Sequence, residues 1–259
     1  GGGSATPFTF STRSGAWRAA TDALSDAPWT GSDPRDPNDR KGHSAVAHNG
    51  AVYVFGGTTR RGKSNLVDSF DPATGKWEAM SSPDADGREP GAAAAENSAV
   101  QAVCHHTAVA FGNRMLVFGG KDAAGDSTAA LHAYDFGSRS WTADLPCGGA
   151  EQPSPRNGHG AVAANATTMA VYGGTTGCCD FSSELWLLNV ADYVWSKVDV
   201  VGAPPRAFGA FAVVPPTAQA DSDADSDDGG NDGSVDDTAT ADPASLRFVW
   251  LGGGALPAP

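Results

Sequence analysis

The feature that most constrains this chain is a repeat. His43 to Trp77 reads HSAVAHNGAVYVFGGTTRRGKSNLVDSFDPATGKW, and the same pattern returns from His105 to Trp141 and from His159 to Trp195. Each copy carries a glycine doublet, at Gly56-Gly57, Gly119-Gly120 and Gly173-Gly174. The second glycine precedes the tryptophan by 20, 21 and 21 residues, and a large apolar residue (Phe70, Tyr134, Leu188) stands seven before it. Self-similarity at about 50 residues means stacked units that cannot bury their apolar faces alone.

Each unit reads as a four-stranded antiparallel sheet. Ala45 to His48 and Ala51 to Phe55 are β-prone runs joined by Asn49-Gly50, a two-residue hairpin signal; Gly112-Asn113 takes that place in the second copy. AVYVF, RMLVF and TMAVY are almost continuously apolar, which predicts strands covered on both faces, as in a sheet packed between neighbouring sheets of a ring. The doublet ends the second strand. The third turns through Asp71-Pro72-Ala73-Thr74-Gly75 into a fourth that carries the tryptophan.

These units resemble kelch repeats, the blades of a β-propeller. The resemblance rests on the doublets, the tryptophans with their partners seven residues earlier, and the Arg-x-x-His runs Arg40 to His43 and Arg156 to His159. The second copy has no arginine before His106, and in the fourth Arg206 is followed by Gly209. The expected fold is all-β: a kelch-type β-propeller of four-stranded antiparallel blades, three complete (about 43–80, 105–144 and 159–199) plus two half-blades. Phe10 stands seven before Trp17, so 7–20 reads as strands three and four; 208–254 reads as strands one and two. Residue 1 is glycine and no leader is recognisable, so the sequence is read as a piece of a longer protein. It is taken as a segment of a larger ring, with closure by the two half-blades as the other solution.

The 259 residues carry a formal net charge of -13, and nine aspartates fall between Pro215 and Pro243 with no basic residue among them. That segment, 215–243, is expected to be a disordered insertion in a hairpin. Asp223, Asp225 and Asp227 copy the first spacing of an EF-hand loop, but Asp228 stands where that loop needs glycine and Ser234 where it needs glutamate, so no calcium site is expected. No apolar run reaches the roughly 20 residues that a spanning helix needs, so no membrane partner is expected. The acidic balance disfavours nucleic acid.

Every repeated residue has a structural role that accounts for it. The tryptophans are expected between blades, His43, His106 and His159 in hydrogen bonds at the start of strand one, and the glycines where the backbone needs them; His105 has no assigned place. No catalytic or metal-binding constellation stands out, and no cofactor is expected. Cys104, Cys147, Cys178 and Cys179 fall on one face and two adjacent repeats; a Cys147 disulfide or a zinc site is weighed against four reduced thiols, and the thiols are preferred, with a cytoplasmic compartment.

Strand order places the loops after strands two and four at one end of each sheet. Ten of the 17 basic residues fall there, and the acidic insertion falls at the other end. The functional expectation is a non-enzymatic protein-interaction module, scaffold or adaptor, that binds an acidic peptide or loop of another protein. Its candidate contacts are Arg40, Arg60, Arg61, Lys63, Lys121, Arg156 and Arg206. The rival is a fragment of a propeller enzyme of the galactose-oxidase or isomerase kind, with its catalytic groups outside this chain.

Overall fold

A computed structural model describes residues 8–11, 16–19, 40–59, 62–80, 100–177, 180–214 and 247–253. The predicted insertion at 215–243 lies outside them, as do Arg60, Arg61, Cys178 and Cys179. The described residues form strands and turns without a helix.

Strands β1 (Phe8–Ser11) and β2 (Ala16–Ala19) form a hairpin whose register pairs Phe10 with Trp17. The first complete blade follows in the order β3 (Ser44–His48), β4 (Ala51–Phe55), β7 (Val67–Asp71), β8 (Lys76–Ala79). Between β4 and β7 a small separate hairpin, β5 (Thr58–Thr59) and β6 (Gly62–Lys63), occupies the basic loop. The second blade is β9 (Thr107–Phe111), β10 (Arg114–Phe118), β11 (Leu131–Asp135), β12 (Ser140–Thr142). The third is β13 (Gly160–Asn165), β14 (Thr168–Tyr172), β15 (Leu185–Asn189), β16 (Val194–Val198), and β17 (Ala210–Val214) pairs with β18 (Arg247–Leu251). All pairings are antiparallel between neighbours, the meander that short turns dictate.

Local chemistry sets these turns. Asn49 and Gly50 both take positive φ (46° and 81°), the geometry of a tight hairpin. At the turn between strands three and four a short acceptor side chain caps the backbone in each of the three complete blades. Asp71 accepts from Ala73 N (2.8 Å), Asp135 from Ser138 N (2.8 Å), and Asn189 from Ala191 N (3.0 Å). The seven-residue spacing also has a direct cause. It places Phe70 opposite Trp77, Tyr134 opposite Trp141 and Leu188 opposite Trp195 across strands three and four.

The apolar core lies between blades rather than within one. Phe55 of the first blade meets Trp141 of the second at 4.7 Å, and Phe118 of the second meets Trp195 of the third at 5.0 Å. Strands β10 and β14 are buried along four of five residues, which is why their sequences do not alternate. At the third interface Tyr172 stands where Phe55 and Phe118 stand, against Phe211 and Trp250. A cavity of about 440 Å³ opens there, lined by Leu185, Arg206 and Phe248 among others. The first strands β3, β9, β13 and β17 lie side by side as the inner row.

Candidate functional site

The leading ends of the inner strands carry the densest set of repeated interactions, and the glycine doublet builds it. The second glycine of each doublet donates its N–H to a carbonyl of the next blade, at 2.8 Å each time: Gly57 to Val103, Gly120 to Arg156, Gly174 to Arg206. The first glycine must stay bare. A Cβ on Gly119 would stand 2.7 Å from the Arg156 carbonyl oxygen and 2.9 Å from the His159 ring, and one on Gly173 would stand 2.3 Å from the Arg206 oxygen.

The histidine that fills this space reaches back to the previous blade. His106 Nε2 lies 2.8 Å from Ser44 Oγ, and His159 Nε2 lies 2.8 Å from Thr107 Oγ1. Burial holds both rings at a pKa of about 3, so they are neutral at physiological pH. A histidine beside a hydroxyl resembles a base beside a nucleophile. Here the further polar contact of each ring is a backbone group, at Phe55 for His106 and at Phe118 for His159, rather than a carboxylate, and serine is exchanged for threonine between interfaces. These pairs are inter-blade clamps. At the third interface both members are glycine, Gly160 and Gly209, and Trp250 packs over the two: added Cβ atoms would stand 2.7 and 2.3 Å from its ring.

Two residues before each inner strand the backbone turns left-handed. Gly42, His105, Gly158 and Phe208 have φ of 66°, 57°, 64° and 59°. They join the blades in series: His105 N donates to Gly42 O (2.7 Å), Gly158 N to His105 O (2.8 Å), and Phe208 N to Gly158 O (2.7 Å). His105, unplaced by sequence, is the second blade's member of this belt. Its pKa is lowered by burial and by the charges of Lys121 and Lys63; Lys121 bridges Cys104, next to His105, and Lys63 pairs with Thr58, which bridges Lys41, next to Gly42.

The arginines divide differently from the sequence expectation. Arg40 and Arg156 are buried, with relative exposures of 5% and 0%, so neither is available to a partner as a surface residue. Arg40 pairs with Asp68. Arg156 donates to the Gly173 carbonyl (3.0 Å) and to Glu184 (2.7 Å). Burial pushes the Glu184 carboxyl up, but hydrogen bonds from Lys197, Arg156 and Trp186 outweigh it and hold the group at about 2. Both arginines fasten strand three to the start of their own blade. Arg206, Lys63 and Lys121 are all half-buried, Arg206 beside the flank cavity and the two lysines near the belt. Cys104 and Cys147 are free thiols, and no group of three metal-ligating side chains occurs among the described residues.

A meander of four-stranded sheets, cross-braced by doublet and histidine and packed through tryptophans, is the kelch form of the β-propeller. The chain belongs to the Attractin/LZTR1 beta-propeller family, whose model matches residues 8–150. It is 33% identical to the Rab9 effector protein with kelch motifs of Gallus gallus, over 49% of this chain and 30% of that protein. It is 30% identical to the Leucine-zipper-like transcriptional regulator 1 homolog of Drosophila melanogaster, over 64% of this chain and 16% of that protein. Kelch domain-containing protein 10 of Xenopus laevis is 27% identical over 70% of this chain and 42% of its own length. The chain therefore spans less than half the length of each of these relatives.

Proposed function

We propose that this propeller segment is a protein-interaction module whose leading-end loops bind an acidic segment of a partner protein. The observation that carries the proposal is the backbone pairing that sets two lysines of different blades next to the belt: Lys121 bridges Cys104, the neighbour of His105, and Lys63 pairs with Thr58, which bridges Lys41, the neighbour of Gly42. Loops on a rigid scaffold are where recognition residues gather, and these two are pinned by backbone bridges (Thr58 with Lys63; Lys121 with Cys104). The naming of one relative as a Rab9 effector and of others by their kelch motifs supports protein binding. Arg60 and Arg61 lie outside the described residues; Arg206 stands at the flank of the face. Arg40 and Arg156 are removed from the contact set by burial.

The test is fluorescence anisotropy with a labelled oligoglutamate peptide. The wild-type chain binds it with an affinity that falls as salt rises, and the double variant Lys63→Glu, Lys121→Glu loses it. Lys76→Glu, an exposed charge at the opposite end of the first blade, leaves binding unchanged. Equal affinity of the double variant and the wild type would overturn the proposal.

A further inference from the structure

The belt residues all do the same backbone work, yet two of them carry side chains. Gly42 and Gly158 show that glycine suffices for the left-handed turn and for the hydrogen bond to the next blade. His105 and Phe208 hold the same conformation at a cost of ~1–2 kcal/mol each relative to an ordinary backbone. Strain kept where the fold does not require it marks a position used for something else.

The two rings are also placed together. Phe208 lies over Gly158, where an added Cβ would meet its ring at 2.6 Å, and His105 lies over Gly42, where the distance would be 2.9 Å. The glycines of blades one and three thus make room for the rings of blades two and four. The rings meet edge to face at 5.3 Å between centroids. Phe208 is 51% exposed, unlike Phe55, Phe118 and Phe136, which the blades bury. Lys121, bridged to the neighbour of His105, and Lys63, paired with Thr58, stand beside this apolar spot, while Asp122, next to Lys121, is committed to the N–H groups of Gly125 and Asp126 (3.0 Å each).

We infer that His105 and Phe208 form the anchor of the docking site at the belt, receiving one apolar or aromatic side chain of an extended segment whose neighbouring residues are carboxylates. The anchor rests on the reading of this face as an acidic-peptide site and specifies the partner further. Charge from the lysines draws the segment in, and the ring pair selects among acidic segments by the residue at their centre. Tryptophan and tyrosine, with arginine, are enriched among the energetic anchors of interfaces.

The experiment uses two fluorescein-labelled ten-residue Glu/Ser peptides that differ only at the centre, Trp in one and Ala in the other. The full chain binds the Trp peptide about tenfold more tightly than the Ala peptide. Phe208→Gly, and separately His105→Gly, install the residue that the sister blades carry. Each leaves the thermal midpoint unchanged or raised, keeps the salt-dependent binding of the Ala peptide, and removes the preference for Trp. Retained preference in both variants overturns the anchor, and so does a fall in the midpoint, which would make the rings structural. Equal binding of both peptides by the wild type overturns the anchor and leaves the acidic-peptide reading standing; binding of neither overturns both.

Discussion

The two buried histidine clamps make the fold acid-sensitive in a specific way. A histidine titrates near 6.5 in an unfolded chain and at about 3 for His106 and His159 in the folded one. Because the folded value is the lower, the unfolded chain takes up the proton first. The stabilisation is intact above about pH 6.5 and is lost as pH falls through the window down to 3. At pH 5 each ring costs ~2 kcal/mol relative to pH 7, about 4 kcal/mol for the pair. Asp71, Asp135 and Glu184 are held below the ordinary carboxylate range, so their own contribution is lost further into acid. Urea unfolding at pH 7 and pH 5 measures the effect, with the double variant His106→Gln, His159→Gln as reference. Glutamine keeps a hydrogen bond within reach of Ser44 and Thr107 but does not titrate. The other histidines are common to both proteins and cancel. A double variant that loses as much stability between pH 7 and pH 5 as the wild type would refute the clamp argument.

The doublets and the buried arginines give sharper, local tests. Gly119→Ala places a Cβ 2.7 Å from a fixed carbonyl at φ 65° and is expected to cost more than ~3 kcal/mol. Gly50→Ala, left-handed but in open space, should cost only about 1 kcal/mol by the same chemical denaturation. Arg156→Met leaves Glu184 without its buried partner and should cost about 3 kcal/mol, less than a fully buried pair because Lys197 and water still reach the carboxylate. If thermal melts show Arg156→Met within 0.5 kcal/mol (~) of wild type, the arginine is not the fastener described above.

The strands, tryptophans and doublets were legible in the sequence because they recur in phase, and phase survives loss of identity between copies. The roles of the arginines were not. A cation in a Pro/Gly-rich connection reads as a surface charge, and only its acceptors, Asp68 for Arg40 and Glu184 for Arg156, show that it is internal. A signal did exist: both arginines stand three residues before a repeated histidine, a fixed spacing that a free surface charge does not need. His105 was missed for the opposite reason. It shares no residue type with Gly42, Gly158 or Phe208, and what the four have in common is a backbone angle. The hairpin β5–β6 is too short for any alternation to announce it.

The doublet-to-carbonyl bond has a further consequence. Its donor sits at the end of strand two in one sheet, and its acceptor sits just ahead of strand one in the next. The histidine clamp bridges the same seam. The cohesive module of this architecture is therefore displaced from the visible sheet: it runs from the middle of one blade to the front of the following one. A gene segment coding for one sheet alone would carry a doublet without its acceptor and a histidine without its hydroxyl. Duplication or recombination within such an array keeps every joint intact when it inserts or removes a whole period, wherever in the blade the cut falls, and breaks a joint when it does not.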